Sequence, residues 1–365
     1  MATPKDTIWA IEPHTLAKHE ILRRYLAAWF PILGTYNNRV VYIDGFCGPG
    51  RYTGGEAGSP LIALNEASQN QTRLQSNRLV FLFMDERSDR IAHLNQELGT
   101  IIIPSNYAVQ AITGEFAVEF KRLLDNLDTK GMQLAPTFAF IDPFGFKGLP
   151  FELVKRLLKN PKTEVFINVM VDSINRFLEH PDDQIRQHIV ELFGTSEALE
   201  IANRSNDRTQ ELRFLYQKQL SQCAKYVRYF EMRNADGRAI YYLFFASNHP
   251  LGHVKMKEAF WKVDRSSGFC FSDATNPNQM VLFEIDETPK LALQLQQQFC
   301  GRKVVVAELR EFTENQTPFL ASHMRKALSA LETEQSIEVA ILKQDGKRRR
   351  KGSFPDDVII TFSSS

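Results

Sequence analysis

The 365-residue chain has almost no excess of charge and few cysteines. Its 44 Lys and Arg residues nearly balance 43 Asp and Glu residues, so the net charge of +1 gives no global attraction to nucleic acid. The cysteines are far apart and form neither a C-x-x-C pair nor a metal-ligand spacing. They are Cys47, Cys223, Cys270 and Cys300. We therefore expect a reduced protein without a bound metal.

Long hydrophobic runs are also missing. Residues 1–14 lack the apolar segment of an export signal, and no window approaches the ~20 apolar residues of a membrane-spanning helix. We expect a cytoplasmic protein with no membrane partner. The 43% of hydrophobic residues is a globular composition, and the length predicts two domains or one large domain with an appendage.

The most informative segment is Val40–Pro60, VVYIDGFCGPGRYTGGEAGSP. It predicts a short buried strand, a glycine-rich turn and a helix start. Asp44 ends the strand, where doubly wound sheets bind their ligands. The turn then contains Gly45, Phe46, Gly48 and Gly50. This spacing differs from the dinucleotide pattern G-x-G-x-x-G and is closer to a loop that binds S-adenosylmethionine; the alternative is a glycine-rich turn of an unrelated α/β domain.

Within this turn, Cys47 has no evident activating base. We interpret it as a small buried thiol, with a nucleophile as the alternative.

Five apolar runs alternate with helical patterns along the first 170 residues, which predicts a parallel, doubly wound α/β sheet. The runs are Val40–Ile43, Leu79–Met84, Tyr107–Thr113, Thr137–Ile141 and Glu164–Met170. Two later strands, Tyr226–Met232 and Ile240–Ala246, flank a turn and predict a hairpin. An antiparallel pair of this kind commonly closes a methyltransferase sheet.

Acidic residues follow two of these strands. Asp85, after the second strand, is expected to accept hydrogen bonds from the cofactor's ribose, and the alternative is a helix-capping role. Glu115, after the third strand, is expected to approach the adenine.

The fourth strand ends in Asp142-Pro143-Phe144-Gly145, at the predicted reacting position. Methylation of an exocyclic amine requires acceptors for the amine's protons and a flat surface for the base. Asp142 and the Pro143 carbonyl would accept these protons, and Phe144 would stack on the base. The alternative is a strand-ending turn with a capping acid.

Thr15–Leu33 predicts a long amphipathic helix. Its polar face carries His14, Lys18, His19, Arg23 and Arg24, which we interpret first as solvated residues. The alternative assigns Lys18 or His19 to the cofactor's carboxylate.

The last 80 residues predict a winged-helix module with nucleic-acid contacts. Helical patterns at Leu291–Phe299, Val306–Thr313 and Phe319–Leu331 precede strands at Ile337–Leu342 and Val358–Phe362. The loop Lys343–Phe354 between the strands holds five consecutive basic residues, which suit phosphate contacts. They are Lys347, Arg348, Arg349, Arg350 and Lys351. A solvated hairpin or a contact with a partner domain is the alternative, and the predicted domains are 1–285 and 286–365.

Four segments resemble the three-Cys-motif partner proteins of bacteria. They are HTLAKHEILRRYLAAWFPIL (14–33), YIDGFCGPGRYTGGEAGSPLIAL (42–64), IDPFGFKGLP (141–150) and the terminal FPDDVIITF. The family name implies a companion protein with three cysteines, similar to a radical S-adenosylmethionine protein. The glycine loop with D-P-F-G is also similar to Rossmann-like amino-methyltransferases, including those that modify guanine N2 of tRNA. These resemblances imply the fold and the cofactor more than the substrate.

Together, these features predict a Rossmann-like class I methyltransferase fold, S-adenosylmethionine as cofactor, and N-methylation of a nucleobase in nucleic acid, RNA rather than DNA. One alternative is methylation of a small metabolite or of the three-Cys-motif partner's product. A further alternative is a non-catalytic module that binds nucleic acid or a partner.

Overall fold

The structure, a computed structural model, describes residues 4–204, 207–274, 286–342 and 345–363. These residues divide into two compact units. The first holds the residues up to Ala259 and those from Cys270 to Ala274, and the second holds Phe260–Phe269 and the residues from Asp286 on. The division predicted at 285/286 stays a prediction, because residues 275–285 lie outside the described part.

Trp261 explains why Phe260–Phe269 belongs to the second unit. Its ring centroid lies 5.9 Å from that of Phe319, and its indole N–H donates to the Pro318 carbonyl at 2.7 Å.

The first unit contains an eight-stranded sheet and eleven named helices among its described residues, the last of which continues into the second unit. The strands are β1 (Arg39–Asp44), β2 (Arg78–Asp85), β3 (Tyr107–Thr113), β4 (Thr137–Ile141), β5 (Thr163–Val169), β6 (Tyr226–Arg233), β7 (Ala239–Ser247) and β8 (Cys270–Ser272). The helices are α1 (Pro13–Tyr36), α2 (Ser59–Gln69), α3 (Gln71–Leu74), α4 (Ser88–Gly99), α5 (Phe116–Thr129), α6 (Phe151–Leu158), α7 (Val171–Phe177), α8 (Asp183–Phe193), α9 (Glu197–Arg204), α10 (Arg208–Ser221) and α11 (Pro250–Val263).

The strand order is β3-β2-β1-β4-β5-β7-β6-β8. Strands β1 to β5 pair in parallel, and β7 is antiparallel to both of its neighbours, β5 and β6. A reversed β7 between β5 and β6 is the arrangement of class I methyltransferases, so the predicted fold class is confirmed. The three-residue β8, parallel to β6, was not predicted because so short a segment has no detectable periodicity.

Alternate side chains of the central strands build two cores. Tyr42, Phe81 and Phe138 face α1, where Phe138 lies 5.1 Å from Tyr25 between ring centroids. Ile43 and Met84 belong to the second cluster, which includes residues of α5, α6 and α10. Helices therefore cover both faces, and ligands can reach the sheet only at its edges.

The register brings the predicted acids to one edge. Asp44 pairs with Phe83 of β2 and with Phe140 of β4, so Asp85 and Asp142 both lie two residues beyond a partner of Asp44. Strands β1 and β4 are also where the chain order reverses, the place where open α/β sheets bind ligands.

The second unit has a winged-helix layout, as predicted. Its described elements are α12 (Thr288–Phe299), β9 (Lys303–Val305), α13 (Val306–Gln316), α14 (Ala321–Thr333), β10 (Ile337–Val339) and β11 (Ile359–Phe362). The strands form an antiparallel sheet in the order β10-β11-β9. The predicted strand Ile337–Leu342 is shorter than expected, and β9 was missed. In the described part of the chain, no helix is both long and apolar enough to cross a membrane.

Candidate functional site

The glycine loop after β1 is held by backbone hydrogen bonds. Gly45 N–H donates to the Phe140 carbonyl at 3.0 Å, and Gly48 N–H donates to the Asp85 carboxylate at 3.0 Å. Gly50 has φ +84°, and a Cβ there would lie 2.7 Å from Leu94 Cδ1. The positive φ therefore favours glycine at this position.

Asp44 lies fully buried beneath this loop. Phe46 N–H approaches its carboxylate at 3.4 Å, and the Ser59 hydroxyl also bonds to it. Burial raises the pKa of Asp44 to about 7, while the Ser59 hydrogen bond opposes the rise and the charge of Asp142 adds to it. A cationic ligand group beside Asp44 would favour its ionised form.

A cavity of about 220 Å³, here called the cofactor cavity, opens beside the loop. Its lining includes the predicted residues Gly45, Phe46, Asp85, Glu115, Pro143 and Phe144. Asp85 is buried and accepts from Gly48 N–H and from Arg87 N–H at 2.9 Å. Asp85 thus lies at the predicted strand end, but it already accepts one hydrogen bond from the glycine loop and one from the turn after β2. Neither Asp44, Gly48 nor Gly50 is among the lining residues of this cavity.

Glu86 and Arg90 also line the cofactor cavity and were not predicted as site residues. Glu86 is exposed, so its carboxylate is available for hydroxyl groups. Arg90 is buried; its guanidinium lies 4.8 Å from the Trp9 ring centroid, and Nη1 lies 3.7 Å from Asp85. The sequence signal for Glu86 was its place directly after Asp85 at the strand end.

A second cavity of about 230 Å³, here called the acceptor cavity, shares Pro143 and Phe144 with the first. Aromatic rings supply flat surfaces in its wall: Trp9, Tyr52, Phe144 and Tyr241. Phe144 is 38% exposed and meets Trp9 edge to face at 5.8 Å. A planar ring could pack against these aromatic surfaces. Stacking of a base on Phe144 stays a prediction.

Asp142 lines the acceptor cavity, and both of its carboxylate oxygens have partners. Lys18 pairs with Oδ2, and Asn168 Nδ2 donates to Oδ1 at 2.7 Å. Lys18 is only 5% exposed, so the predicted solvated face of α1 is wrong here. The ammonium of Lys18 is paired with Asp142, and the alternative that Lys18 reaches the cofactor's carboxylate stays a prediction.

His19 is also buried, against Tyr52 with ring centroids 5.8 Å apart. Burial, with the neighbouring Lys18 charge, lowers the pKa of His19 to about 3, so its imidazole is neutral. His19 lines neither the cofactor cavity nor the acceptor cavity, and its contact with the cofactor's carboxylate stays a prediction.

His14, one helical turn before Lys18 on α1, also lines the acceptor cavity. Its Nδ1 lies 2.9 Å and 3.1 Å from the two oxygens of Asp273. Glu12 Oε2 lies 3.0 Å from Nε2, but among the described residues Nε2 has no aligned hydrogen-bond partner. Sequence reasoning placed His14 on a solvated face and gave no signal for Asp273.

Cys47 is 4% exposed, and burial, followed by the charges of Asp44 and Asp85, raises the pKa of its thiol. A thiol held neutral is a poor nucleophile, which supports the interpretation as a packed side chain.

A third cavity of about 240 Å³ lies at the opposite edge, where β5 begins. Its buried carboxylate, Glu164, accepts from Tyr25 at 2.5 Å and from Ser247 at 2.7 Å. These bonds connect α1 to β5 and β7, so we interpret Glu164 as structural.

The five basic residues of the wing do not share one environment. Lys347, Arg348, Arg350 and Lys351 are exposed. Arg349 turns inward, where it pairs with Glu332 and donates to the Ala340 carbonyl at 3.0 Å. Its predicted phosphate contact is therefore replaced by a structural role, and Lys343 lies outside the described residues.

A family model matches part of the chain, and solved structures are similar to it. Residues 271–343 match the family model of the GMT-like wHTH domain. Human methyltransferase-like protein 13 in complex with SAH is similar at 11% identity and a TM-score of 0.35, over 73% of this chain and 97% of that one. The O-methyltransferase from Bacillus cereus in complex with SAH is similar at 14% identity and a TM-score of 0.32, over 65% and 82%. No curated protein matches the sequence.

Proposed function

We propose that the protein is an S-adenosylmethionine-dependent methyltransferase that modifies a nucleobase in nucleic acid. One observation carries this proposal. Two adjoining cavities share Pro143 and Phe144 at the carboxyl edge of the sheet, which suits a donor and an acceptor that meet there. The fold and the glycine loop, whose path at Gly50 a Cβ would obstruct, support the cofactor.

The residues present fit the cofactor's groups. Asp85 and Glu86 would accept from its ribose hydroxyls, and Glu115 would lie toward its adenine. Asp44, buried beneath the loop and outside the cavity lining, would favour its ammonium group through its charge. A contact of Lys18 or His19 with the cofactor's carboxylate stays a prediction. When bound, S-adenosylmethionine supplies an activated methyl group; the chain supplies binding, orientation and shielding from water.

The choice of nucleic acid is supported by the second unit. A winged-helix layout with four exposed basic residues in its wing suits phosphate contacts, and α14 adds exposed Arg325 and Lys326. The aromatic wall of the acceptor cavity suits a planar base. The three-Cys-motif partner protein, the choice of RNA over DNA and the cytoplasmic location stay predictions.

Isothermal titration with S-adenosylhomocysteine tests the cofactor. Asp44→Asn should weaken binding at pH 8 by about tenfold, because it removes a negative charge from beneath the glycine loop. Asp172→Asn is the matched control, since this carboxylate is 49% exposed on α7. No binding by the wild type, or equal binding by Asp44→Asn, would contradict the assignment.

The acceptor is tested with tritiated S-adenosylmethionine and total RNA, total DNA and the small-molecule fraction from cells that lack this gene. Label in RNA or DNA supports the proposal. Label confined to the small-molecule fraction would favour the metabolite alternative.

A further inference from the structure

We propose that the Tyr52 hydroxyl binds the acceptor base by donating a hydrogen bond to the ring nitrogen beside the methylated amine. This inference rests on the proposed function and names the chemical pattern that the acceptor cavity recognises. In adenine, cytosine and guanine, the carbon that bears the amine is bonded to a ring nitrogen with a lone pair. The contact adds a binding residue that lies outside the D-P-F-G motif.

The Tyr52 hydroxyl is a hydrogen-bonding group that the fold leaves available. Tyr52 lines the acceptor cavity and is half-buried. Its hydroxyl has no hydrogen-bond partner among the described residues. The Tyr216 hydroxyl also lacks a partner, but protein atoms enclose its oxygen, whereas the Tyr52 oxygen is not enclosed in this way. A ligand in the acceptor cavity can therefore reach the Tyr52 hydroxyl.

The Tyr52 phenol stays protonated at neutral pH, so it can act as a donor. Burial, followed by the charges of Asp142 and Asp44, raises the pKa of Tyr52 above its ordinary value. Since both carboxylates contribute, the hydroxyl lies within electrostatic reach of the acids at the ends of β1 and β4. This is the sheet edge where the two cavities adjoin.

Three other donors in the wall of the acceptor cavity are already used by the protein. The Lys18 ammonium pairs with Asp142, and the Asn168 amide donates to the same carboxylate at 2.7 Å. The Tyr241 hydroxyl donates to the His14 carbonyl at 3.3 Å. The cavity thus offers a carboxylate to an amine, while Tyr52 supplies a donor for the neighbouring ring nitrogen.

Backbone hydrogen bonds and two ring contacts fix the direction of Tyr52. Its N–H donates to the Glu56 carbonyl at 3.0 Å, and its carbonyl accepts from Gly55 N–H at 3.0 Å. The phenol ring lies edge to face with Trp9 at 5.5 Å between centroids, and 5.8 Å from the His19 imidazole. A donor held in this way loses little side-chain entropy when it binds a ligand.

Two hydrogen bonds orient a planar base better than one. Each oxygen of Asp142 already has one protein partner, but a carboxylate offers about four lone-pair sites, so it can still accept from an amine N–H. With Tyr52 O–H donating to the adjacent ring nitrogen, the base cannot rotate in its plane. The amine is thereby held near Pro143 and Phe144, which line both cavities.

The first test needs no methyl transfer. Protein labelled with ¹³C at the tyrosine Cζ atoms is saturated with S-adenosylhomocysteine, and the Tyr52 signal is identified by its loss in Tyr52→Phe. We expect this signal to move on addition of at least one of adenosine, cytidine and guanosine. It should stay in place with the matching deaza analogue, which lacks the ring nitrogen beside the amine. A signal that moves with none of the three nucleosides, or equally with the deaza analogue, would overturn the proposal.

The second test measures methyl transfer to the polymer labelled in the acceptor experiment. Tyr52→Phe keeps the ring and removes only the hydroxyl. Its kcat/KM for the polymer should fall about 5- to 100-fold, the usual cost of a buried hydrogen bond left unmade, while its affinity for S-adenosylhomocysteine stays within about twofold. Tyr36→Phe is the matched control and should transfer at the wild-type rate, because Tyr36 is 80% exposed at the end of α1. A wild-type kcat/KM in Tyr52→Phe would also overturn the proposal.

The outcomes separate this inference from the proposed function. If the wild type labels neither RNA nor DNA, the proposed acceptor class is wrong, and the nucleoside measurement alone decides the role of Tyr52. If the wild type labels a polymer and Tyr52→Phe labels it equally well, the proposed function stands and the role of Tyr52 is wrong.

Discussion

Two basic segments of this chain have nearly opposite structural roles. On α1, His14, Lys18 and His19 look like a solvated face but are each at most 6% exposed. In the wing, four of the five residues from Lys347 to Lys351 are exposed, and only Arg349 is turned inward. The sequence of a basic cluster therefore does not tell whether its side chains are buried or exposed. Buried basic groups organise a site through specific partners, and exposed ones act through long-range charge.

The largest effect is expected for the buried basic residues of α1. Lys18→Met should lower the free energy of unfolding by about 2–3 kcal/mol, because half-buried Asp142 keeps Asn168 but loses its paired cation. Methyl transfer should fall at least about 100-fold. Urea unfolding and tritium transfer measure the two effects.

Two further variants calibrate this result. Lys218→Met removes an exposed pair with Glu197 and should change stability by less than about 1 kcal/mol. Adding Asp142→Asn to Lys18→Met should restore part of the lost stability. Equal effects of Lys18→Met and Lys218→Met would show that burial does not distinguish the two lysines.

A variant in which the exposed basic residues of the wing are all serine should show a weaker salt dependence of nucleic-acid binding. The replaced residues are Lys347, Arg348, Arg350 and Lys351. Each lost phosphate contact lowers the magnitude of the slope of log K against log salt by about 0.7–0.9, so the total for the four residues is up to about 3.6. Filter binding with total RNA between about 50 and 200 mM salt measures this change in slope. An unchanged slope would exclude the wing as the contact.

Arg349 sharpens the comparison within the wing. Arg349→Met should lower the stability of the second unit by about 1–3 kcal/mol, because Glu332 and the Ala340 carbonyl lose their donor. Arg348→Met, at an exposed neighbour, should leave stability unchanged. Hydrogen exchange of the amides in β10 and β11 detects the difference, and equal protection in both variants would contradict it.

The smallest effect concerns pH. Because burial raises the pKa of Asp44 to about 7, this group is mostly protonated at pH 6 and mostly ionised at pH 8. A cofactor ammonium group favours the ionised form, so affinity for S-adenosylhomocysteine should rise with pH, by at most about tenfold per unit below the pKa. Calorimetry at pH 6, 7 and 8 measures this, and a slope retained in Asp44→Asn would assign it to another group.

The elements that sequence predicted correctly are those with local signals. The five parallel strands are continuous apolar runs, and the glycine loop and D-P-F-G follow two of them. In a doubly wound sheet, strand ends meet at one edge, so the approach of Asp44, Asp85 and Asp142 was predictable. The short strands β8 and β9 were missed because three residues are too few for a periodic pattern.

The amino-acid sequence was thus enough to predict the class of fold, the sheet edge with the candidate site and the residues of the glycine loop. Short-range periodicity and turn chemistry encode these features. The partners of the polar groups became known only from the folded chain. Lys18 meets Asp142 across 124 positions, and His14 meets Asp273 across 259. No local pattern specifies such pairs, because they depend on how helices and strands distant in sequence pack against one another.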